Sequence, residues 1–445
     1  MGGGLMQLVA YGSQDLYLTG KPQITFWKSV YRRYTNFSIE SIQQDVQGSA
    51  LFGSQVIVNI ARNGDLLKKV WIEYSPFDIL GGIDTSGGTG YTVAANLGHS
   101  LIDHVDIQIG GQLVDRHYGK WLTIWNYLTE SNPTGEQGAI DVFSTGPGEN
   151  TSVSILTGDN AVNEALPRTT RYNRMSYNHR AQLNVTSNQG APQLAWIPLQ
   201  FWFCRNPGLA IPLIALQYHE VEFIITFNPL NLVTTMPSQR LTGNEFSRLA
   251  FYADFVYLDT TERKQFAQNA HEYLVEQVQL NQSISDINIK LAFNHPCKEL
   301  VWAPVPLPVS GLTPRTVVPG GSSPNKGFTT STYTQPNEYS LVLNGSQRFS
   351  ARDITYFTRN QVWESHTGFG SVLFPDSIAV YSFALRPEEN QPSGTCNFSR
   401  IQSAQMVRSM TYTNGRPTPD IIDMYAVNIN IFRIMSGMGG LAYSN

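Results

Sequence analysis

Charged residues are scarce in this sequence. Asp, Glu, Lys and Arg make up 14% of its 445 residues, whereas they form about a quarter of an average soluble protein. The formal net charge is −4 at pH 7, so the chain lacks the positive excess that normally accompanies direct nucleic-acid binding. A surface with few charges suits a protein that covers much of its exterior with neighbouring molecules, although a monomer rich in Asn, Gln, Ser and Thr would look similar.

Cysteine is also scarce, and a long hydrophobic segment is missing. Cys204, Cys297 and Cys396 are odd in number and widely spaced, which favours free thiols in a reducing compartment over a disulfide framework. The N-terminal stretch MGGGLMQLVAYGSQD has no cationic region followed by a long apolar one, so no signal peptide is expected. The apolar run at 209–216 is too short to span a bilayer. We therefore expect a chain that is soluble and intracellular when it is synthesised.

Patterns of enzyme chemistry are missing as well. The sequence contains no H-E-x-x-H, G-x-S-x-G or G-x-x-x-x-G-K-[ST] motif. The segment NHPCKEL at 294–300 contains half of a zinc-deaminase pattern but lacks its second cysteine. His99, His104 and His117 lie near one predicted hairpin and could in principle meet around a metal ion, but their spacing is loose and no carboxylate pattern accompanies them. We predict no catalytic, cofactor-binding or metal-binding residues.

Several asparagines stand in N-x-S/T sequons. The six are Asn36, Asn150, Asn184, Asn281, Asn344 and Asn397. Without a signal peptide they would not normally meet the secretory glycosylation machinery, so we interpret most of them as ordinary loop and strand residues. If sugars are attached, Asn150 and Asn184 are the best-placed acceptors, because they lie in the long polar stretch 131–190.

Strand patterns dominate what the sequence does contain. Apolar residues alternate in 56–60 and again in 70–74, with Asn63-Gly64 between them, which predicts a hairpin with a type I′ turn. Similar alternation precedes Gly110-Gly111 and Asn344-Gly345. Helical signals are few. One short amphipathic helix is predicted from Trp121, Ile124, Trp125 and Leu128, and a second from Asp259 to about Gln268.

The landmarks of the first half recur in the second. Val70-Trp71 matches Val301-Trp302 at a separation of 231 residues, and the turn glycine Gly111 matches Gly345 at a separation of 234. Each half also ends in an alternating strand, at 221–227 in the first and at 425–431 in the second. This ordered set predicts two β domains of one kind.

Each half offers about eight short strands, which predicts an all-β protein with short helices in the connecting loops. Two consecutive eight-stranded jelly-roll β-sandwiches are the economical architecture, because two facing sheets limit the number of exposed edges. An immunoglobulin-like sandwich is the alternative, but its halves would be nearer about 100 residues and would usually show a Cys…Trp…Cys spacing. We place the first jelly roll at 27–228, a linker at 229–239 and the second jelly roll at 240–445, after an N-terminal arm at 1–26.

Long segments of the chain resemble the major capsid proteins of nucleocytoplasmic large DNA viruses, in the branch that infects algae and amoebae. The resemblance runs over the whole chain and includes several long, specific blocks. They are AYGSQDLYLTGKPQITFWKSVYRRYTNFSIESI (10–42), ARNGDLL (61–67), IPLQFWFCRNPGLAIPLIALQYHEVEF (197–223), VYLDTTERKQFAQ (256–268), FNHPCKELVW (293–302) and YSFALRPEENQPSGTCNFSRI (381–401).

The resemblance implies a structural protein without enzymatic activity or cofactor. It implies a double jelly roll, a homotrimeric capsomer of pseudo-hexagonal outline, and an icosahedral shell outside an internal membrane. The implied partners are further copies of the chain, minor capsid and penton proteins, and inner-membrane-associated viral proteins through an inner-surface arm at 1–26, with no direct nucleic-acid contact. The implied location is the capsid of the virion, after synthesis and assembly in the host cytoplasm. Stretches 131–190 and 303–336 match no recognised block and are expected to be variable surface loops.

Three other functions remain open from the sequence. A minor capsid or penton protein could use the same fold, and copy number in the particle would distinguish it. A host-glycan-binding β-sandwich is a second alternative, although the expected surface loops contain few aromatic residues. A cupin-like metalloenzyme is the third, and stoichiometric metal on the purified protein would support it.

Overall fold

The computed structural model describes residues 3–76, 91–93, 96–130, 171–178, 183–185, 194–233, 248–283, 287–305, 338–368, 378–409, 412–413, 416–417 and 421–443. The chain forms two compact units, Met1–Phe37 and Ser38–Asn445. In the first unit, two short helices carry large hydrophobic side chains that are exposed. This unit extends beyond the end of the arm expected at residue 26. Most of the two stretches expected to be surface loops, 131–190 and 303–336, lies outside the described residues.

The described chain is rich in strands. In chain order they are β1 (Phe37–Gln44), β2 (Val46–Gln47), β3 (Gln55–Asn59), β4 (Leu66–Tyr74), β5 (Tyr91–Val93), β6 (Ile102–Ile109), β7 (Gln112–Tyr118), β8 (Leu183–Val185), β9 (Ala195–Pro198), β10 (Ile211–Pro212), β11 (Val221–Phe227), β12 (Leu249–Leu258), β13 (His271–Ser283), β14 (Asn288–Lys290), β15 (Pro296–Val305), β16 (Glu338–Leu343), β17 (Ser346–Asp353), β18 (Ala379–Ser382), β19 (Cys396–Asn397), β20 (Ala404–Arg408), β21 (Tyr412–Thr413), β22 (Arg416–Pro417), β23 (Ile421–Met435) and β24 (Met438–Leu441).

Helices are short; two precede the first strand and the others lie between strands. The α-helices are Gly3–Val9, Leu16–Thr19, Leu97–Ser100, Gly119–Thr129, Arg171–Ser176, Trp202–Arg205, Leu230–Val233, Thr260–Gln268 and Gln361–Ser365. Two 3₁₀ turns cover Pro207–Leu209 and Phe398–Arg400, and a π-helical segment covers Tyr356–Asn360. Both helices predicted from the sequence are present. Within the described ranges, no helix has the length and apolar character needed to cross a lipid bilayer.

Four large sheets form two β-sandwiches. The first sandwich has sheets of order β1-β12-β4-β10, where β9 also pairs with β4, and β2-β3-β11-β6-β7. The second has sheets of order β13-β23-β15-β18, with β19 and β24 added to it, and β14-β20-β16-β17. Each pair of sheets encloses its own hydrophobic core. The predicted all-β architecture is confirmed.

Eight strands of one sandwich correspond to eight of the other by their pairing partners in the sheets. Strands β1, β12, β4 and β9 correspond to β13, β23, β15 and β18, and strands β3, β11, β6 and β7 correspond to β14, β20, β16 and β17. The tight turns correspond too. Gly110-Gly111 and Asn344-Gly345 both have two successive positive φ values, as a type I′ turn requires. The predicted duplication is therefore present in the topology.

The hairpin predicted around Asn63-Gly64 is wrong. β3 and β4 alternate as expected, but they lie in different sheets, and the segment between them crosses from one sheet to the other. Gly64 serves close packing, since a Cβ there would lie 2.6 Å from Cβ of Phe255. Alternation specifies which face of a strand is buried, but it does not specify the strand's partner.

The closing strands were also matched incorrectly. The counterpart of β23 is β12, and the counterpart of β11 is β20. β12 pairs with β4 along its length and contributes Phe251, Ala253 and Phe255 to the first core. The first sandwich therefore ends after Leu258, beyond the boundary expected at 228, and the helix Thr260–Gln268 connects the two sandwiches. Of the linker expected at 229–239, residues 234–239 lie outside the described part of the chain.

Trp71 and Trp302 lie on corresponding strands but face opposite sides. Trp302 is fully buried inside the second sandwich. In the first sandwich the inward residues are Val70 and Ile72, so Trp71 points outward and its ring stacks on Tyr252. The Val-Trp match thus identified the correct pair of strands in a register displaced by one residue.

Candidate assembly interface

The histidines considered as metal ligands belong to separate hydrogen-bond networks. Their partners are Thr123 and Tyr172 for His99, Asp103 for His104 and Asp115 for His117. Burial lowers the pKa of His99 to about 3, so its imidazole is neutral at physiological pH. No group of three or more His, Cys, Asp or Glu side chains that could hold a metal ion occurs in the described ranges.

The cysteines are free thiols in apolar surroundings. Burial raises the pKa of Cys204 to about 12 and also raises the pKa values of Cys297 and Cys396. A thiol must lose its proton to act as a nucleophile. These environments therefore favour a structural role.

Two sequon asparagines form hydrogen bonds with the main chain. Oδ1 of Asn344 and of Asn397 accepts hydrogen bonds from main-chain N–H groups. The donors are Gln402 and Ser403 for Asn344, at 2.9 and 3.0 Å, and Ser399 for Asn397, at 3.0 Å. Of the two best-placed glycan acceptors, Asn184 lies in strand β8 and Asn150 lies outside the described residues. Glycosylation at these two positions stays a prediction.

A helix of the first sandwich lies against the second. The helix Gly119–Thr129 begins directly after β7. On one side it contributes Leu122 to the first core. On another side it presents an apolar stripe at i, i+3, i+4 and i+7, the spacing of one helix face. The residues of this stripe are Trp121, Ile124, Trp125 and Leu128.

This stripe covers the outer face of the sheet that contains β15. Val301 of β15, Val380 of β18 and Tyr425 of β23 belong to the same buried cluster as the helix. The rings of Trp121 and Tyr425 are 5.2 Å apart between centroids. Burying aromatic side chains of this size contributes about 1.5–3 kcal/mol each, so the contact joins the two sandwiches firmly.

Ion pairs connect the sandwiches beside the helix. Nζ of Lys120 lies 2.8 Å from Oδ2 of Asp423, and Arg205 lies 2.7 Å from Glu276. Lys298, which is fully buried, also contacts Glu276 at 2.7 Å. Paired charges of this kind are costly to separate, because each ion would remain in a site poor in water.

His366 lies in a second charged group close to the helix. Its Nε2 is 2.9 Å from Glu299 and its Nδ1 is 3.0 Å from Glu388. Burial disfavours the imidazolium, but the two carboxylates outweigh it and raise the pKa of His366 to about 9. His366 is therefore protonated at neutral pH.

The sequence predicted this helix but not what it contacts. Lys298 and Glu276 are 22 positions apart in sequence, and Arg205 is far from both. No local spacing relates such residues. A lysine within the apolar strand β15 was the one available signal, since a buried lysine normally requires a partner.

Comparisons with known proteins agree along the whole chain. The family profile described as "Major capsid protein N-terminus" matches residues 25–259, and the profile "Large eukaryotic DNA virus major capsid protein" matches residues 262–440. The junction between the two matches falls directly after β12, where the structure ends the first sandwich.

Individual relatives span the full length. The major capsid protein of Pyramimonas orientalis virus is 41% identical, and that of Paramecium bursaria Chlorella virus 1 is 37% identical, each over 100% of both chains. The quasi-atomic structure of the PBCV-1 virus capsid superposes with a TM-score of 0.67 at 32% identity, covering 95% of this chain and 100% of that one. The Faustovirus major capsid protein superposes with a TM-score of 0.61 at 12% identity, over 97% and 96% of the chains, which supports the fold.

Proposed function

This chain belongs to the family of the major capsid proteins of large eukaryotic DNA viruses, and we propose that its working unit is a homotrimeric capsomer of near-hexagonal outline. It is a double jelly roll and a component of the virion capsid. The trimer is supported by the presence of two sandwiches of one topology in a single chain. Three such chains around a threefold axis offer six comparable edges to their neighbours.

The composition supports large contacts between copies. Only 14% of the residues are charged, and a permanent interface of more than about 2,000 Å² buries weakly charged surface with little desolvation cost. In this proposal the protein is structural and has no enzymatic activity. Its partners are other copies, minor capsid and penton proteins, and synthesis and assembly take place in the host cytoplasm.

Two measurements test the trimer and its lattice. Light scattering of the purified protein should give three times the mass of the chain, and a stable monomer would overturn the trimer. Images of particles should show a pseudo-hexagonal array of these trimers. One copy at each vertex would indicate a penton protein instead.

We assign residues 1–26 to an arm on the inner side of the capsomer, where inner-membrane-associated viral proteins are its partners. The arm contains five glycines and exposed side chains such as Tyr17 and Leu18. Glycines make ordering costly for an isolated segment, so we expect contacts with neighbours to order it. A protease should cleave the arm faster in free trimers than in intact particles. Equal rates would contradict this assignment.

A further inference from the structure

Each sandwich carries a helix after its second hairpin strand. In the first sandwich this is Gly119–Thr129, here called the first helix. In the second it is the continuous stretch 356–365, here called the second helix. Leu122 and Phe357 each lie four residues beyond the end of the preceding strand, and each is buried in the core of its own sandwich. Each helix therefore contacts the core of its own sandwich at the same distance from the preceding strand, although the second helix begins with a π-helical turn.

The outward sides of the two helices differ in exposure. The stripe of the first helix is buried by the second sandwich, and none of its residues is more than 4% exposed. The positions that correspond by distance from the preceding strand are Tyr356, Arg359, Asn360 and Trp363. Trp363 is 83% exposed. Tryptophan is enriched at the centres of protein interfaces.

The surface covered by the first helix has a counterpart on the first sandwich. Three cross-strand neighbours on an outer face lie beneath the first helix. They are Val380, Val301 and Tyr425. On the first sandwich, the corresponding strands β9, β4 and β12 place Pro198, Trp71 and Tyr252 directly opposite one another. This second row, here called the Trp71 face, lies on the outer side of its sheet.

The Trp71 face borders a depression of about 580 Å³. Its walls include Trp196, which is 38% exposed, and Met175, which is 37% exposed. The ring of Trp71 stacks on Tyr252 with a centroid distance of 6.1 Å. A group of large, partly exposed apolar side chains around a concave centre is typical of a protein-binding surface.

Both surfaces carry charges of both signs. Lys69 and Asp254 line the depression. Arg359 and Glu364 are exposed on the second helix. Each surface thus carries one cation and one anion.

We infer that the second helix of one copy docks on the Trp71 face of another copy, with Trp363 in the depression. The inference rests on the proposed trimer and names the contact that holds it together. The contact within the chain is the model for this docking. There, the first helix lies on the outer face of the second sandwich, over Val380, Val301 and Tyr425. The contact within a chain links its first helix to its second sandwich, and the contact between copies links the second helix to the next chain's first sandwich. When the two contacts alternate, three chains form a closed ring of six sandwiches.

Trimer dissociation measured by dilution tests the contact. Trp363→Ala and Trp71→Ala should each raise the concentration at which half of the trimer dissociates by at least about tenfold, as loss of an interface tryptophan does. Leu385→Ala is the matched control, because Leu385 is 84% exposed on the second sandwich and lies on neither surface. Circular dichroism of each variant monitors folding. Trp363 is too exposed for its loss to unfold the chain.

The double variant and the wild type complete the test. If the two tryptophans meet, Trp363→Ala/Trp71→Ala should weaken the trimer by much less than the product of the single effects. A wild-type trimer that neither single variant weakens would overturn the docking contact and leave the trimer in place. A wild-type chain that is monomeric throughout would overturn both.

Discussion

Cys297 and Cys396 are directly opposite each other on the antiparallel strands β15 and β19. Both are free thiols. Cys297 is fully buried, and its Sγ lies 3.0 Å from the carbonyl oxygen of Glu299, to which the thiol donates. Burial raises the pKa of Cys297 well above its usual value, so its thiol stays protonated. The pair therefore has a structural role.

We predict that all three cysteines remain reduced in freshly assembled protein. Alkylation after unfolding without reductant should add three labels per chain, and alkylation of the native protein should leave Cys297 unlabelled. Mass analysis detects both results. A mass two hydrogens lower, with a Cys297–Cys396 cross-linked peptide, would contradict the prediction.

Gly111 and Gly345 provide a test of the duplication. Their φ angles are +77° and +80°, and no atom lies within 4 Å of the Cβ that a substitution would add. Gly111→Ala and Gly345→Ala should therefore each reduce the free energy of unfolding by about 1–2 kcal/mol through backbone strain alone. The Asn variants should cost less, because asparagine tolerates this conformation. Denaturant titration at one protein concentration measures the changes, and a cost at only one site would argue against equivalent turns.

Trp125 should contribute strongly to stability. It is 4% exposed in the interface between the sandwiches, and the guanidinium of Arg205 lies 4.7 Å from its ring centroid. Trp125→Ala should reduce the free energy of unfolding by about 3–5 kcal/mol, since it removes a buried aromatic side chain and leaves a cavity. Leu385→Ala should change it by less than about 0.5 kcal/mol. Similar losses for both variants would show that the helix contributes little to the interface.

Because of His366, the free energy of unfolding should fall as the pH becomes alkaline. Its pKa is about 9 in the folded protein against an ordinary value of 6.5. The folded state binds the proton more tightly, so the stabilisation is complete below pH 6.5 and is lost as pH rises through 9. The loss is of the order of 3 kcal/mol. Denaturant titrations between pH 6.5 and 9.5 should show this slope.

Variants separate this histidine from other groups. His366→Gln should flatten the alkaline slope, and Glu388→Gln should reduce it while the contact with Glu299 remains. His99 does not interfere, because its lowered pKa confines its effect to pH below 6.5. Parallel pH profiles for the wild type and His366→Gln would show that the imidazolium does not contribute.

Local patterns in the sequence determined much of the secondary structure. Alternation identified β3, β4, β6, β11, β16 and β23, and the turns at Gly110-Gly111 and Asn344-Gly345 follow from residues that accept positive φ. The stripe from Trp121 to Leu128 identified the first helix. The repeated landmarks predicted that the chain is duplicated, and the long, specific blocks of the family resemblance identified its class. Each of these signals lies within a few neighbouring residues.

Only the tertiary structure decided which elements meet. Alternation of apolar and polar residues indicates which face of a strand is buried, but it does not indicate which strand lies beside it. For this reason β3 and β4 looked like a hairpin, β12 was left out of the first sandwich, and Trp71 was equated with the inward-facing Trp302. The ion pair of Lys298 with Glu276 and the contact of the first helix with β15 also join distant residues. Their pairing depends on how two sheets pack in space, and that information is spread over the whole chain.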